Sequence, residues 1–330
     1  SLPLDLYMDK MNKDQYDIYR NVVNSTHSND DDVDDEDDDD DGYSEDISHV
    51  SLKSVSLDTN NKISVKQFSE ISTALIITYP SNNIDGKASD RIGEKASDRI
   101  GEKGLNSVCD KSESTSGNLT TYTMKEDQKE FFGKTSLEKY GCKIAAIIEQ
   151  VDKTEGIILV YSQYITGALI PLALALETIG YIRTTNGTNS TPLLLKSKTK
   201  NKNKNKDGER KYALFTGDDA YTSMNDKDKL MEKIKDDDNS TGKRIKVVLI
   251  SSTASEGIDF KNIRQVHILN PWYNMSRIEQ IIGRAVRTHS HQKLDFNKRN
   301  VEIYMHCAYY KDTNEANEEV TQTNDEVTQT

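Results

Sequence analysis

Pro271-Trp-Tyr-Asn-Met-Ser-Arg-Ile-Glu-Gln-Ile-Ile-Gly-Arg-Ala-Val-Arg287 is the stretch from which the rest of the chain can be read. Ser276 and Glu279 have the spacing of a capping box, which predicts a helix starting at Ser276. On that helix Gln280, Arg284 and Arg287 stand at i, i+4 and i+7, so one amide and two guanidinium groups would share a face. Ile278, Ile282 and Ala285 would form a separate apolar face. Gly283 falls in mid-helix, where glycine costs about 1 kcal/mol relative to alanine. Its placement predicts the close approach of another backbone or of a ligand. Two arginines and a glutamine at such a point suit a phosphate. Arginines three residues apart are usually just a solvated helix face, so the flanking sequence has to decide.

Upstream lies the strand-like run Lys246-Val-Val-Leu-Ile-Ser-Ser252, then Thr253-Ala-Ser-Glu-Gly-Ile-Asp-Phe260. A second apolar run, Gln265-Val-His-Ile-Leu-Asn-Pro271, leads into the arginine helix. Q-x-x-G-R-x-x-R, preceded at this distance by S-x-x-x-x-E-G-I-D-F, resembles motifs VI and V of superfamily 2 helicases. The wording is similar to the helicase-like ATPases of nucleocytoplasmic large DNA viruses, among them poxvirus-type early transcription factor subunits, and more distantly to Swi/Snf-type ATPases. The resemblance covers roughly residues 137–310.

The resemblance implies roles. Arg284 and Arg287 match arginine fingers, which neutralise charge on a transferring γ-phosphoryl group and contribute about 10³–10⁵ in rate. Gln280 would orient the phosphate or the attacking water. Asp259, with Gly257 and Gly283, would contact ATP, the aspartate holding the ribose. Ser162, Thr216, Gly217, Ser251 and Glu256 match positions that meet nucleic acid, and short polar groups at strand ends suit backbone phosphates. An isolated Thr-Gly is ordinarily only a turn.

The chemistry of the other wall is not in this sequence. A Walker A loop needs G-x-x-x-x-G-K-[ST] after a buried strand. Gly133-Lys134-Thr135 has Gln128 where the first glycine belongs and polar Asp127–Glu130 ahead of it. The acidic tract offers Asp and Glu with no apolar strand before them, so it is not a Walker B motif. By itself the chain is therefore expected not to hydrolyse ATP. ATP and Mg²⁺ would be held mainly by a Walker-bearing lobe, with DNA or RNA and a viral RNA polymerase as further expected partners. A non-catalytic RecA-like scaffold is the alternative, and an ordinary nucleotide-binding α/β enzyme ranks low without a glycine-rich strand-to-helix turn. His289 and His291 have no third ligand nearby, so no metal site is expected.

Between polar segments the chain alternates helices and strands. Helices are expected over 136–151, 165–179 (ending at Gly180 as C′) and 223–234, with strands over 157–162, 212–215, 246–251, 266–269 and 301–307. Such alternation implies parallel pairing with right-handed crossovers, an α/β three-layer domain. The resemblance makes it RecA-like, with the helicase C-terminal lobe over residues 136–310. Residues 1–25 read as a helical segment between lobes. Residues 26–135 read as a mostly disordered insertion, with a short ordered piece near 65–79. Within it are the tract Asp30–Asp41 and the tandem octapeptides Lys87–Glu94 and Lys95–Glu102. Residues 196–210 read as a disordered loop and 311–330 as a tail.

The net charge of −12 does not argue against nucleic acid, because eleven acids sit in Asp30–Asp41 and the remainder is near neutral. A hydrophobic share of 34% fits a chain with long coreless segments. The three cysteines, Cys109, Cys142 and Cys307, are too scattered for a disulfide framework or a zinc site. No signal peptide or membrane span is expected, and virion or host cytoplasm is the expected location.

Overall fold

The structure, a computed structural model, describes residues 5–27, 55–58, 61–81, 95–113, 119–185, 191–195, 210–221, 224–255, 258–271 and 275–311. The strands are β1 (Asp5–Lys10), β2 (Val55–Asp58), β3 (Asn61–Ile63), β4 (Cys109–Glu113), β5 (Thr120–Met124), β6 (Ile157–Tyr161), β7 (Ile182–Arg183), β8 (Lys211–Phe215), β9 (Val247–Ile250), β10 (Ile263–Ile268) and β11 (Glu302–Tyr309). The helices are α1 (Lys13–His27), α2 (Val65–Ala74), α3 (Gly101–Val108), α4 (Lys134–Tyr140), α5 (Cys142–Val151), α6 (Ile170–Thr178), α7 (Met224–Lys235) and α8 (Met275–Ala285).

Seven strands form one sheet in the order β1-β11-β10-β6-β9-β8-β7, and every neighbouring pair is parallel. β6 and β9 are apolar throughout because helices cover both faces of the sheet. Period-two alternation sends Ile158 and Val160 into a core with Ile144, Ile147 and Leu172 of α5 and α6. Leu159 goes to the other face, with Val248, Ile250 and the α7 and α8 residues Leu230, Ile234, Ile278 and Ile282. This is the expected three-layer α/β fold on a parallel sheet. The chain passes from β9 to β10 across β6, and the crossing segment carries Ser251–Phe260.

Several local expectations change. The helix expected over 136–151 is two helices, divided at Gly141 by the close passage of Ile77, whose Cγ1 would stand 3.3 Å from an added Cβ. The helix expected from Ile165 opens with a π turn over Ile165–Leu169 and becomes regular only at Ile170, with Pro171 in its first turn. It ends as expected at Gly180, at φ +97°, where Tyr181 N–H donates to Leu176 O (2.9 Å) and Gly180 N–H to Glu177 O (3.2 Å), a Schellman closure.

Residues 1–25 hold the expected helix as α1, but β1 comes before it and pairs with β11 at the sheet edge. The second half of the 26–135 stretch is not coreless. Leu105, Val108, Tyr122, Phe131 and Phe132 are buried in the same core as α5 and α6. The second octapeptide copy supplies Ile100, packed on Val22 and Ala74, and Arg99, whose Nε donates to Tyr79 O at 2.9 Å. Asp30–Asp41, Lys87–Glu94 and residues 196–209 lie outside the described residues. Leu193 and Leu194 return into the core, where buried Glu177 accepts from both amides (2.8 and 2.7 Å) and from Tyr212 Oη (2.8 Å). Among the described residues no helix is long and apolar enough to cross a membrane.

Candidate ATP and nucleic-acid surfaces

α8 begins at Met275, so Ser276 lies inside the first turn instead of capping it. Ile278, Ile281, Ile282 and Ala285 anchor the helix on the sheet. Gln280 and Gly283 are exposed and Arg284 is half-buried. A Cβ on Gly283 would meet nothing within 4 Å, so no part of the described chain requires glycine there; the expected close backbone is not found.

α8 also stops at Ala285, before Arg287. The single face expected for Gln280, Arg284 and Arg287 therefore holds only for the first two. Beyond Val286 the chain turns away through His289, at φ +68°. Arg287 instead forms an ion pair with Asp259. Arg284 Nη1 donates to Ile258 O at 3.1 Å, and Phe260 N–H donates to Arg284 O at 3.0 Å. The segment after β9 and the end of α8 are thus stitched together at three points, although they are far apart in sequence. Arg284 uses one donor in these contacts and Arg287 is exposed, so guanidinium capacity remains for an anion. Beside Arg287 opens a cleft of about 560 Å³, lined by His289, Gln292, Arg299 and Ile303 among others. Glu256 and Gly257 lie outside the described residues.

The other surface is the carboxyl edge of the sheet. Thr216, Ser251, Ser162 and Asn270 follow β8, β9, β6 and β10 in a row, all buried. Ser251 Oγ donates to Thr216 O at 2.7 Å, and Ser162 Oγ donates to Asn270 Oδ1 at 2.7 Å. Thr216 Oγ1 accepts from Asp218 N–H at 3.2 Å. Gly217 sits at φ +75°, with Thr253 3.0 Å from where a Cβ would lie, so the turn demands glycine. The Ser251 and Ser162 hydroxyls tie adjacent strand ends together while that of Thr216 braces its own turn, and all three shape the edge more than they project from it.

Sequence reasoning passed over a buried polar row beneath this edge. His267 Nδ1 lies 2.9 Å from His306 Nε2, and His306 Nδ1 lies 2.8 Å from Asp9 Oδ2. All three are nearly inaccessible. Lys143 of α5 is buried nearby and donates to Leu269 O at 2.7 Å. Burial pushes its ammonium below the ordinary lysine range. The signal was present in Gln265-Val-His267, where polar residues alternate inside a buried strand. His291 is taken up by Ser290 and by Ile263 O (2.6 Å), and among the described residues no group of His, Cys, Asp or Glu could hold a metal ion.

Residues 142–289 match the family described as the helicase conserved C-terminal domain. Over these residues the chain resembles a helicase C-terminal lobe. The matched span contains both stitched segments, from Ser251 through Arg287. Over 176 residues this chain is 29% identical to a candidate ATP-dependent RNA helicase, R563, of Acanthamoeba polyphaga mimivirus, covering 53% of this chain and 27% of that one. It is 32% identical over 184 residues to a candidate helicase, 087L, of Invertebrate iridescent virus 3, covering 54% of this chain and 16% of that one. It is 28% identical over 206 residues to the termination factor NPH-I homolog of African swine fever virus (isolate Tick/Malawi/Lil 20-1/1983), covering 56% and 29%. The matches therefore span less than a third of each of these relatives. The solved C-terminal part of the Fun30 ATPase domain aligns over 93% of this chain and 85% of that one, at 15% identity and a TM-score of 0.44, a likeness too distant to argue from.

Proposed function

We propose that this chain is the C-terminal half of an ATP-dependent superfamily 2 translocase acting on DNA or RNA. It would complete an ATP site whose Walker motifs lie on a second lobe outside this sequence. The observation that carries the reading is the stitching of Ile258-Asp259-Phe260 to Arg284 and Arg287. It presents two guanidinium groups and a carboxylate from separate segments at one place on the surface. Bound ATP with Mg²⁺ would supply the phosphoryl group to be transferred. Arg284 and Arg287 fit its phosphates, and Asp259 fits a ribose hydroxyl, with Gln280 one turn away on α8. Gly257 and Gly283 would let the nucleotide come close. Mg²⁺ would be held mainly by the Walker lobe.

Ser162, Thr216, Gly217, Ser251 and Glu256 would shape the track along the carboxyl edge for the nucleic-acid strand. Residues 5–27 would lead in from the Walker lobe. Relatives named as viral helicases and a termination factor support a role in viral nucleic-acid handling; viral RNA polymerase as a partner and virion or host cytoplasm as the site of action belong to the same proposal.

The test is ATP turnover by this chain, alone and mixed with the Walker lobe of a relative, with and without single-stranded nucleic acid. Turnover only in the mixture, abolished by Arg284→Ala with Arg287→Ala, is the expected result. No turnover in any mixture, with nucleic acid still bound, would reject the motor and leave a non-catalytic scaffold.

A further inference from the structure

The carboxyl edge does not stop at Asn270. β11 and β1 end on the same side, and α1 starts from there, with Met11 N–H donating to Tyr309 O at 2.8 Å. At this corner the rings of Tyr16 and Tyr310 lie 4.0 Å apart, with planes 6° from parallel. Tyr19 stands 6.4 Å from Tyr16 on the same helix. The stacked rings are half-buried, so part of each remains open. They line a cleft of about 470 Å³ that Lys13, Arg20, Asn21 and Asp17 share. Lys13 and Arg20 are exposed, and neither forms an ion pair among the described residues.

We propose that Tyr16 and Tyr310, flanked by Lys13 and Arg20, are a base-stacking platform for single-stranded nucleic acid at the β11–α1 end of the carboxyl edge. The proposal rests on the helicase reading above and adds to it a place where the strand's bases are held. Aromatic faces accept any base, and each such stack is worth about 1–3 kcal/mol. Lys13 and Arg20 neutralise phosphates on either side of the rings. Asp17, in the same cleft, repels phosphate from the ring faces and so favours bases there. The hydroxyls of Ser162, Thr216 and Ser251 are buried and engaged with the protein, and none of them offers a flat apolar surface. Tyr16 and Tyr310 do. A pair that only fastened the end of β11 to α1 would explain the parallel rings but not two unpaired cations beside them.

The experiment is fluorescence anisotropy of a labelled oligo(dT) or oligo(U) single strand with the full chain, across a salt series. Tyr310→Ala should weaken binding about ten-fold, and Tyr310→Phe, which keeps the ring, should restore it. Arg20→Ala, on an exposed side chain that the fold does not need, should weaken binding and lower the salt slope by about one. Photo-crosslinking with 5-iodouracil in the strand should label Tyr16 or Tyr310. If the parent binds while Tyr310→Ala and Arg20→Ala bind equally well, or crosslinks fall only elsewhere, the platform is wrong and the helicase reading stands. A parent chain that binds neither oligo(dT) nor oligo(U) overturns the platform, whereas the helicase reading falls only if the mixture with a Walker lobe also shows no turnover.

Discussion

At the scale of single residues, Gly283 separates folding from function. It lies in the interior of α8, exposed, with open space where a Cβ would go. Gly283→Ala should therefore stabilise the lobe by about 0.5–1 kcal/mol in urea unfolding. If the nucleotide approaches the helix here, the same substitution should lower turnover in the mixture with a Walker lobe. Greater stability with unchanged turnover would leave Gly283 no part in the site. The arginines divide the other way. Arg287 and Asp259 are both substantially exposed, and such pairs contribute less than about 1 kcal/mol. Arg287→Ala should leave the urea midpoint nearly unchanged while reducing turnover by about 10³ or more. Their residue types and spacing were legible in the sequence. The pairing of Arg287 with Asp259 was not, because it depends on α8 ending at Ala285, and no proline or glycine in the sequence marks that end.

At the scale of elements, the apolar strands were legible because burial on both faces makes them continuous hydrophobic runs. β1 was not. In Asp5-Leu-Tyr-Met-Asp-Lys10 the apolar Leu6 and Met8 face outward, at 60% and 55% exposure, while Asp9 points inward at 4%. The pattern is the reverse of an ordinary edge strand, and it makes sense only beside the inward-facing His306 and His267. Asp9→Ala removes the carboxylate from His306 inside the sheet, and should destabilise the lobe by about 3 kcal/mol in urea. A loss below about 0.5 kcal/mol would show that this contact does not hold β1. The row also predicts a pH response. Burial, and then the neighbouring His306, push His267 down to about 3, against roughly 6.5 for an unfolded histidine. Between these values the unfolded chain binds the proton and the folded chain does not. The contribution of His267 is thus complete above about pH 6.5 and is lost as pH falls towards 3, by up to about 1.4 kcal/mol per unit. Urea midpoints at pH 7 and pH 5 should differ less for His267→Gln than for the parent, and an equal difference would refute the assignment. The second octapeptide copy misled for a related reason: repetition resembles low complexity, yet the position of Ile100 beside Val22 and Ala74 turns one copy into core.

At the scale of the whole molecule, alternation of helices and strands gave the three-layer class, but strand order depends on contacts that no local pattern encodes. The deepest of these is the one between Asp9 and His306, 297 residues apart. Removing residues 1–12 should expose the β11 edge and the Met305 face, lowering the thermal midpoint and promoting association, as measured by calorimetry and light scattering. An unshifted midpoint would mean that β1 is dispensable. The same pairing has a kinetic consequence. Joining β1 to β11 is a closure of very high contact order, reached only after a long loop-entropy cost. On the ribosome β1 must wait, its partner unmade, until Tyr309 has emerged. During that wait the backbone edge of β1 that β11 will cover is open to any neighbouring chain, so the yield of native lobe should depend on how quickly β11 is synthesised.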